Sequence, residues 1–436
     1  MKTNYKRLLA HTSICPLLLF SSIAEAQTGG SVTAPVGSPT GQLPSTVPIV
    51  GPPGPQAPLV PRTGPLPENL TLEQAIEEAA ARSPAIVAAQ ADIEAAQGRL
   101  RQAGARFNPV LNADVEGFSG DGSLSINQRL DVFGRRSART QVARSGLALQ
   151  ELRLAIARAE LTQAVRGQFA AAAATRDRLQ LAQANNERAR EIARIAEELV
   201  AAGREPPLRA LRARANAVQT EAALRAAEAA ELAARRTLAS LFGVTEPVAS
   251  VAGPLIPLVQ TMLDPSATLD VRLAQAERAQ AEAVLQQERV SARLDPSVGV
   301  GVRRSRDTGG TALIAGVSLP LPVFDRNQGN IAAARAGINA AEARRTLALA
   351  QASVRINNAR NNISAAQARV TALEGAAVPQ AREALRLTDL AYRAGRLTLL
   401  ELLDAQQALA TTEAELIDAR VALADATATL VRAAAR

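Results

Sequence analysis

The chain has 436 residues, 47% of them hydrophobic, yet aromatics are only 2% and tryptophan is absent. The length would suit two or three ordinary domains, but the bulky filling of globular cores is missing, and Ala with Arg, Glu, Leu and Gln points to long helices packed through small side chains. The formal charge is +8, and the single His (His11) and single Cys (Cys15) both fall within the first 26 residues; a chain cleaved there has no imidazole and no thiolate, which excludes zinc-finger ligation, disulfides and Cys or Ser–His nucleophilic catalysis.

Residues 1–26 read as a secretory signal peptide. Lys2, Lys6 and Arg7 form a basic start, Ile14–Phe20 a short apolar core, and Ala24-Glu25-Ala26 a small-x-small cleavage site, so Gln27 is expected to begin the mature chain. The apolar run is far shorter than the ~20 residues of a spanning helix. Ile14 stands before Cys15 where lipidation wants a small residue. The remaining positive charge is all arginine, and Arg alternates with Glu along the helices as on solvated faces. No nucleic-acid partner is expected of such an exported chain. Residues 27–67, rich in Pro, Gly, Ser and Thr, form an expected disordered linker.

The first periodic segment starts at Leu70–Ala75, where Thr71 can cap a helix with Gln74 three residues on. Ser83-Pro84 divides that helix from a second one ending near Arg106; Ser83 can cap, and Pro84 suits a first turn. After Asn108-Pro109 the period changes to two. Leu111, Ala113 and Val115 alternate with Asn112, Asp114 and Glu116, and a turn follows at Ser119-Gly120-Asp121-Gly122. The return strand sets Leu124, Ile126, Leu130 and Val132 against Ser125, Asn127, Arg129 and Asp131. A second hairpin repeats the scheme, with Val298, Val300 and Val302 alternating with Ser297, Gly299, Gly301 and Arg303. Beyond the turn Ser305–Gly310, Leu313, Ala315, Val317, Leu319 and Leu321 share a face, and Pro320 and Pro322 belong at the strand exit.

Each strand is apolar on one side over about nine residues, near the ~9–11 of a tilted barrel strand in a bilayer. Val298, Val300 and Val302 are expected to face lipid, and Ser297, Gly299 and Arg303 a lumen. Each hairpin leads, through LDVFGRR at Leu130–Arg136 and LPLPVFDRNQG at Leu319–Gly329, into a very long helix. The two are expected over Arg135–Ala202 and Asn327–Ala394, each ending at Ala-Gly-Arg with the glycine as a left-handed helix stop. Return helices are expected from about Leu208 to Phe242 and Thr398 to Arg432, with the proline-rich Gly243–Pro265 between the halves. Pro296 follows Pro109 by 187 residues, Phe324 follows Phe133 by 191 and Gly395 follows Gly203 by 192. One unit has been duplicated: residues 68–245 (strand hairpin 109–133) and 246–436 (strand hairpin 296–322).

The sequence resembles the TolC-like outer membrane efflux family from Leu70 to Arg432. The resemblance rests on Leu72–Ile86 with its Ser83-Pro84 break, both hairpins, both long helices, and the tip Tyr392-Arg393-Ala394-Gly395…Thr398…Glu401-Leu402-Leu403-Asp404. Leu321–Gly329, LPVFDRNQG, is most similar to the heavy-metal (cobalt–zinc–cadmium, CzcC-like) branch. It implies a mainly α fold with a small β part. Duplicated long-helix hairpins would form a trimeric α-helical barrel, topped by a 12-stranded transmembrane β-barrel with four strands from each chain. It also implies a passive channel in the cell outer membrane, extending into the periplasm. The implied partners are a periplasmic adaptor (membrane fusion) protein, an inner-membrane resistance-nodulation-division pump and outer membrane lipid. Carried over by position, Gly203, Arg204, Gly395, Arg396 and Thr398 are adaptor-docking tips. Tyr392, Glu401 and Asp404 match a periplasmic constriction, and Leu397 stands where family members often carry an arginine.

Other readings are a multidrug or type I secretion channel of the same fold, or a secreted coiled-coil protein without a pore. A plain coiled coil has no need of the alternation in four strands. An enzyme lacks its groups here, so no catalytic residue, cofactor or metal site is expected, and a wall without His or Cys leaves substrate choice to the pump.

Overall fold

The computed structural model describes residues 64–116, 121–253, 264–305 and 309–435. The expected leader, the expected linker up to residue 63, both hairpin turns in part and residues 254–263 lie outside the described residues. The remainder belongs to one compact unit.

Helix α1 (Leu72–Arg82) opens with the expected capping box. The Thr71 Oγ1 accepts from the Gln74 N–H at 3.3 Å, and the Gln74 Oε1 accepts from the Thr71 N–H at 3.1 Å. Helix α2 (Pro84–Gly104) follows with proline at its first position, but Ser83 makes no side-chain cap, a correction to the expectation. Its fixed geometry comes from Pro84 instead. At the end of the expected linker, Arg82 donates to the Gly64 carbonyl at 2.6 Å and Leu66 packs on the nearby core. Strand β1 (Asn69–Leu70) pairs in parallel with β4 (Ser250–Val251), which joins the start of the first repeat to the segment after it. Beneath that pair Leu70, Phe169, Leu238, Phe242 and Val248 form the main apolar cluster.

Strands β2 (Val110–Glu116), β3 (Asp121–Arg129), β5 (Ser297–Arg304) and β6 (Thr311–Ser318) form one antiparallel sheet in the order β2-β3-β5-β6. Cross-strand partners share a side of a sheet, so the register decides the faces. One side carries the rows Leu111–Ile126–Val300–Ala315 and Ala113–Leu124–Val302–Leu313. The other carries Asn127–Gly299–Gly316, Ser125–Gly301–Ile314 and Ser123–Arg303–Ala312. The alternation expected of each strand therefore adds up across the sheet. Ile314, opposite Gly301, and Val110, opposite Asn127, are the large apolar exceptions on the small, polar side, and Gln128, opposite Val298, is a polar exception on the apolar side. Gly301 is required there: a Cβ would sit 2.5 Å from the Leu124 carbonyl oxygen. The strands are shorter than expected. β3 ends at Arg129 and β6 at Ser318, so Leu130, Val132, Leu319 and Leu321 lie beyond the ladder. Pro320 and Pro322, which cannot donate, end the pairing of β6.

Helix α3 (Arg135–Ala201) runs 67 residues, about 100 Å at 1.5 Å per residue. Alanine lets neighbours approach closely, and α2, α5 (Leu269–Ser291), α4 (Pro207–Ser240) and α8 (Leu399–Ala433) all pack on it. The second long helix is not continuous, contrary to expectation. It consists of α6 (Gln328–Ala372), a π-helical turn at Leu373–Ala377 and α7 (Val378–Arg393). Pro379 has no N–H to give to the turn before it, and the Val378 N–H reaches back five residues to the Leu373 carbonyl. Glu187 occupies the equivalent place 192 residues earlier, so α3 passes through it unbroken.

Candidate functional site

Both helical hairpins end in the same way. Gly203 and Gly395 adopt φ +70. In the first, the Gly203 N–H donates to the Val200 carbonyl and the Arg204 N–H to the Leu199 carbonyl, both at 2.9 Å. In the second, Gly395 donates to Tyr392 and Arg396 to Ala391, again at 2.9 Å. These are paired 5→2 and 6→1 closures of a helix C-terminus on a left-handed glycine. The side chains of Arg204 and Arg396 stay exposed.

The two tips are joined by an apolar cluster. Ile192, Ala193 and Ala196 of α3 and Ala213 of α4 meet Tyr392, Leu399 and Leu402 of the second hairpin. Tyr392 is only 2% exposed, and its hydroxyl is buried with no hydrogen-bond partner among the described residues. Burial raises the phenol's pKa, and the charge of Glu205 in the first tip pushes it the same way, against the opposing pull of Arg209. Glu205 and Arg209 form an ion pair along the start of α4. The second tip therefore inserts its tyrosine beside the acidic side chain of the first.

The second tip passes into α8 through a capping box. The Glu401 Oε2 accepts from the Thr398 N–H at 2.6 Å and from the Thr398 hydroxyl at 2.8 Å. These bonds, the backbone one first, hold the Glu401 carboxyl below its usual range. Arg393, a natural partner for either carboxylate by position, binds Asp389 at 3.0 Å instead. Asp404 is exposed, with no hydrogen bond or ion pair among the described residues. Tyr392 thus points into the bundle, while Glu401 and Asp404 lie on the surface of α8, so the three form no single exposed cluster within one chain.

A groove of about 490 Å³ opens between α3 and α7 just behind the tips. Leu385, Leu402 and Leu409 give it an apolar lining, and Glu187, Glu191, Arg382 and Asp389 supply both signs of charge. Most of this charge is satisfied locally, as in Arg194 with Glu191 at 2.6 Å and Arg386 with Glu383 at 2.7 Å. The groove and the Glu205–Arg209 pair were not legible as site features in the sequence. Their only local signal is the spacing of Leu399 and Leu402 just after the Thr398 cap.

Residues 75–244 and 258–436 match the family model described as outer membrane efflux protein. The chain is 29% identical over 78% of its length to the cobalt-zinc-cadmium resistance protein CzcC of Cupriavidus metallidurans, of which it covers 84%. It is 32% identical over 62% of its length to the nickel and cobalt resistance protein CnrC of the same organism, covering 68% of that protein. Among solved structures it resembles the outer membrane protein VceC from Vibrio cholerae, with TM-score 0.71, 24% identity, and 84% of this chain and 96% of that one covered. It also resembles CusC, with TM-score 0.72, 17% identity, and 83% and 91% covered. The duplicated helix hairpins, the four-stranded sheet and a family match spanning both repeats place this chain in the outer membrane efflux protein family.

Proposed function

We propose that this chain is the outer membrane channel of a tripartite system that exports heavy-metal cations. The observation that carries the metal assignment is that its curated relatives are named for resistance to cobalt, zinc, cadmium and nickel. Three copies would close twelve strands into a barrel, which removes the open edges of β2 and β6. The helices would continue that barrel as a tunnel into the periplasm. A periplasmic adaptor would dock at the tips around Gly203, Arg204, Gly395, Arg396 and Thr398, where the groove offers apolar and charged contacts together. An inner-membrane resistance-nodulation-division pump would supply the energy and the substrate choice, leaving the channel passive and without catalytic chemistry. Residues 1–26 would be removed on export and residues 27–67 would tether the first repeat (68–245), followed by the second (246–436).

The test is complementation. A metal-sensitive host lacking its own channel receives the adaptor and pump genes with or without this chain. Growth in cobalt, zinc or cadmium that depends on the chain supports the proposal. Unchanged metal tolerance beside restored tolerance to organic drugs would overturn it in favour of a multidrug channel.

A further inference from the structure

The apolar side of the sheet does not stop where the ladder stops. In the second repeat Leu313, Ala315, Val317, Leu319 and Leu321 keep the same period of two, although β6 ends at Ser318, and the chain then turns where the Val323 N–H donates to the Leu321 carbonyl. In the first repeat Leu124 and Ile126 are followed on the same side by Gln128, whose amide donates to the Phe107 carbonyl at 3.0 Å, and the apolar row resumes at Leu130 and Val132 beyond Arg129. Apart from the half-buried Leu130 both rows stay exposed, and each ends in a phenylalanine: Val132 and Phe133 are 57% and 41% exposed, Leu321 and Phe324 69% and 93%. The residues of β6 alone, Leu313 to Val317, span only about 13 Å along the strand. Extended to Leu321, the row spans roughly 26 Å, or about 20 Å at barrel tilt. A lipid-facing band is about 25 Å tall, so the two phenylalanines fall at its lower edge.

The first-repeat junction holds a cavity of about 600 Å³ at this level. Phe107, Leu130 and Val132 give it an apolar wall, and its charged lining comes from Arg106, Arg129, Arg136 and Asp131, with Gln128 and Ser137 among the uncharged polar groups. Its charges are not equally committed. Arg129 pairs with Asp295, and Asp131 is matched by Arg139 at 3.5 Å. Arg106 and Arg136, both exposed, have no ion pair among the described residues. Asp131, whose two oxygens are buried without a hydrogen bond, is offset by that one ion pair, and the guanidiniums of Arg106 and Arg136 remain uncommitted beside an apolar wall.

Resting on the outer-membrane reading above, we propose that this junction binds an anionic phospholipid of the periplasmic leaflet. The phosphate lies against Arg106 and Arg136, and the acyl chains follow Leu130 and Val132 onto the sheet. Guanidinium groups suit a phosphate's paired oxygens, and the apolar wall selects a lipid over free phosphate. A second copy of the chain could cover the same surface, and the test separates the two.

The full-length wild type and the Arg106→Gln/Arg136→Gln variant are reconstituted in nanodiscs of phosphatidylethanolamine alone or mixed with phosphatidylglycerol. Insertion is checked by protease protection, and retained lipid is counted by mass spectrometry after partial delipidation. The wild type should retain phosphatidylglycerol over phosphatidylethanolamine, and the variant should insert normally but lose that preference by about fivefold per arginine removed. An equal preference in both proteins would overturn the site. Loss of oligomers by the variant in both lipids alike would overturn it in favour of a contact between copies. Failure of the wild type to insert in either lipid would overturn the membrane reading itself, and the site with it.

Discussion

Gly203 and Gly395 show how much one backbone angle decides. A Cβ at either would meet nothing within 4 Å, so a side chain there is limited by φ +70 and not by space. Gly395→Val should therefore cost roughly 1–2 kcal/mol locally, speed amide exchange in the last turn of α7, and weaken adaptor crosslinking while the chain stays folded; wild-type exchange in both Gly203→Val and Gly395→Val would count against the left-handed stop. Glu401 gives a second, pH-dependent case. Its carboxyl is held below the usual range, so its contribution is present above the unfolded value of about 4.3 and lost as pH falls through the depressed one. The N-terminus of α8 should exchange faster on acidification. Glu401→Gln should remove that pH component yet keep the cap, because Gln74 already fills the same role in α1. Thr398→Ala should weaken the cap by about 1 kcal/mol at every pH. Identical acid profiles for the wild type and Glu401→Gln would show that Glu401 is not the titrating group.

Elements differ in what their residues specify. The sheet is set by its register: Val300 lies between Ile126 and Ala315 on the apolar side, and Ser297 between Arg129 and Ser318 on the other. Val300→Arg should impair assembly by up to about 2–4 kcal/mol per chain near the midplane, while Ser297→Arg is tolerated. Heat-modifiable mobility of the reconstituted protein reads this directly, and the reverse order of effects would show that the sheet faces the other way. The long helices are set by alanine-rich packing and local ion pairs, and here the repeats part company. Pro379 puts a wider turn into the second hairpin at the level where α3 is uninterrupted. Val370 and Val378 pack with Leu416 and Leu423 of α8 around that turn, so the interruption stays part of the folded bundle.

At the scale of the whole molecule, three copies would multiply each exposed tip residue around one axis. Asp404 has no partner among the described residues, whereas Glu401 is partly engaged by Thr398. An acidic ring at the constriction would favour cations. In planar bilayers Asp404→Asn should lower the cation-to-anion permeability ratio most, Glu401→Gln less, and the double variant at least as much as Asp404→Asn. An unchanged ratio in a conducting double variant would leave both carboxylates outside the conducting path.

What the sequence determined by itself was everything that depends on near neighbours. The capping box at Thr71, the glycine stops, the two-residue alternation of four strands and the duplication were all legible, because each is a rule about residues a few positions apart or about one segment repeated. Pro379 was equally local, but the surrounding helical composition concealed its effect. The tertiary structure alone decided the rest. It paired Leu70 with Val251, set Tyr392 of one tip beside Glu205 of the other, and drew Arg393 to Asp389 and away from the α8 carboxylates. Where alanine occupies nearly every face, no apolar stripe points to the neighbour. The packing partner is then chosen by shape and close approach across the whole bundle, which is information held between distant segments and in none of them singly.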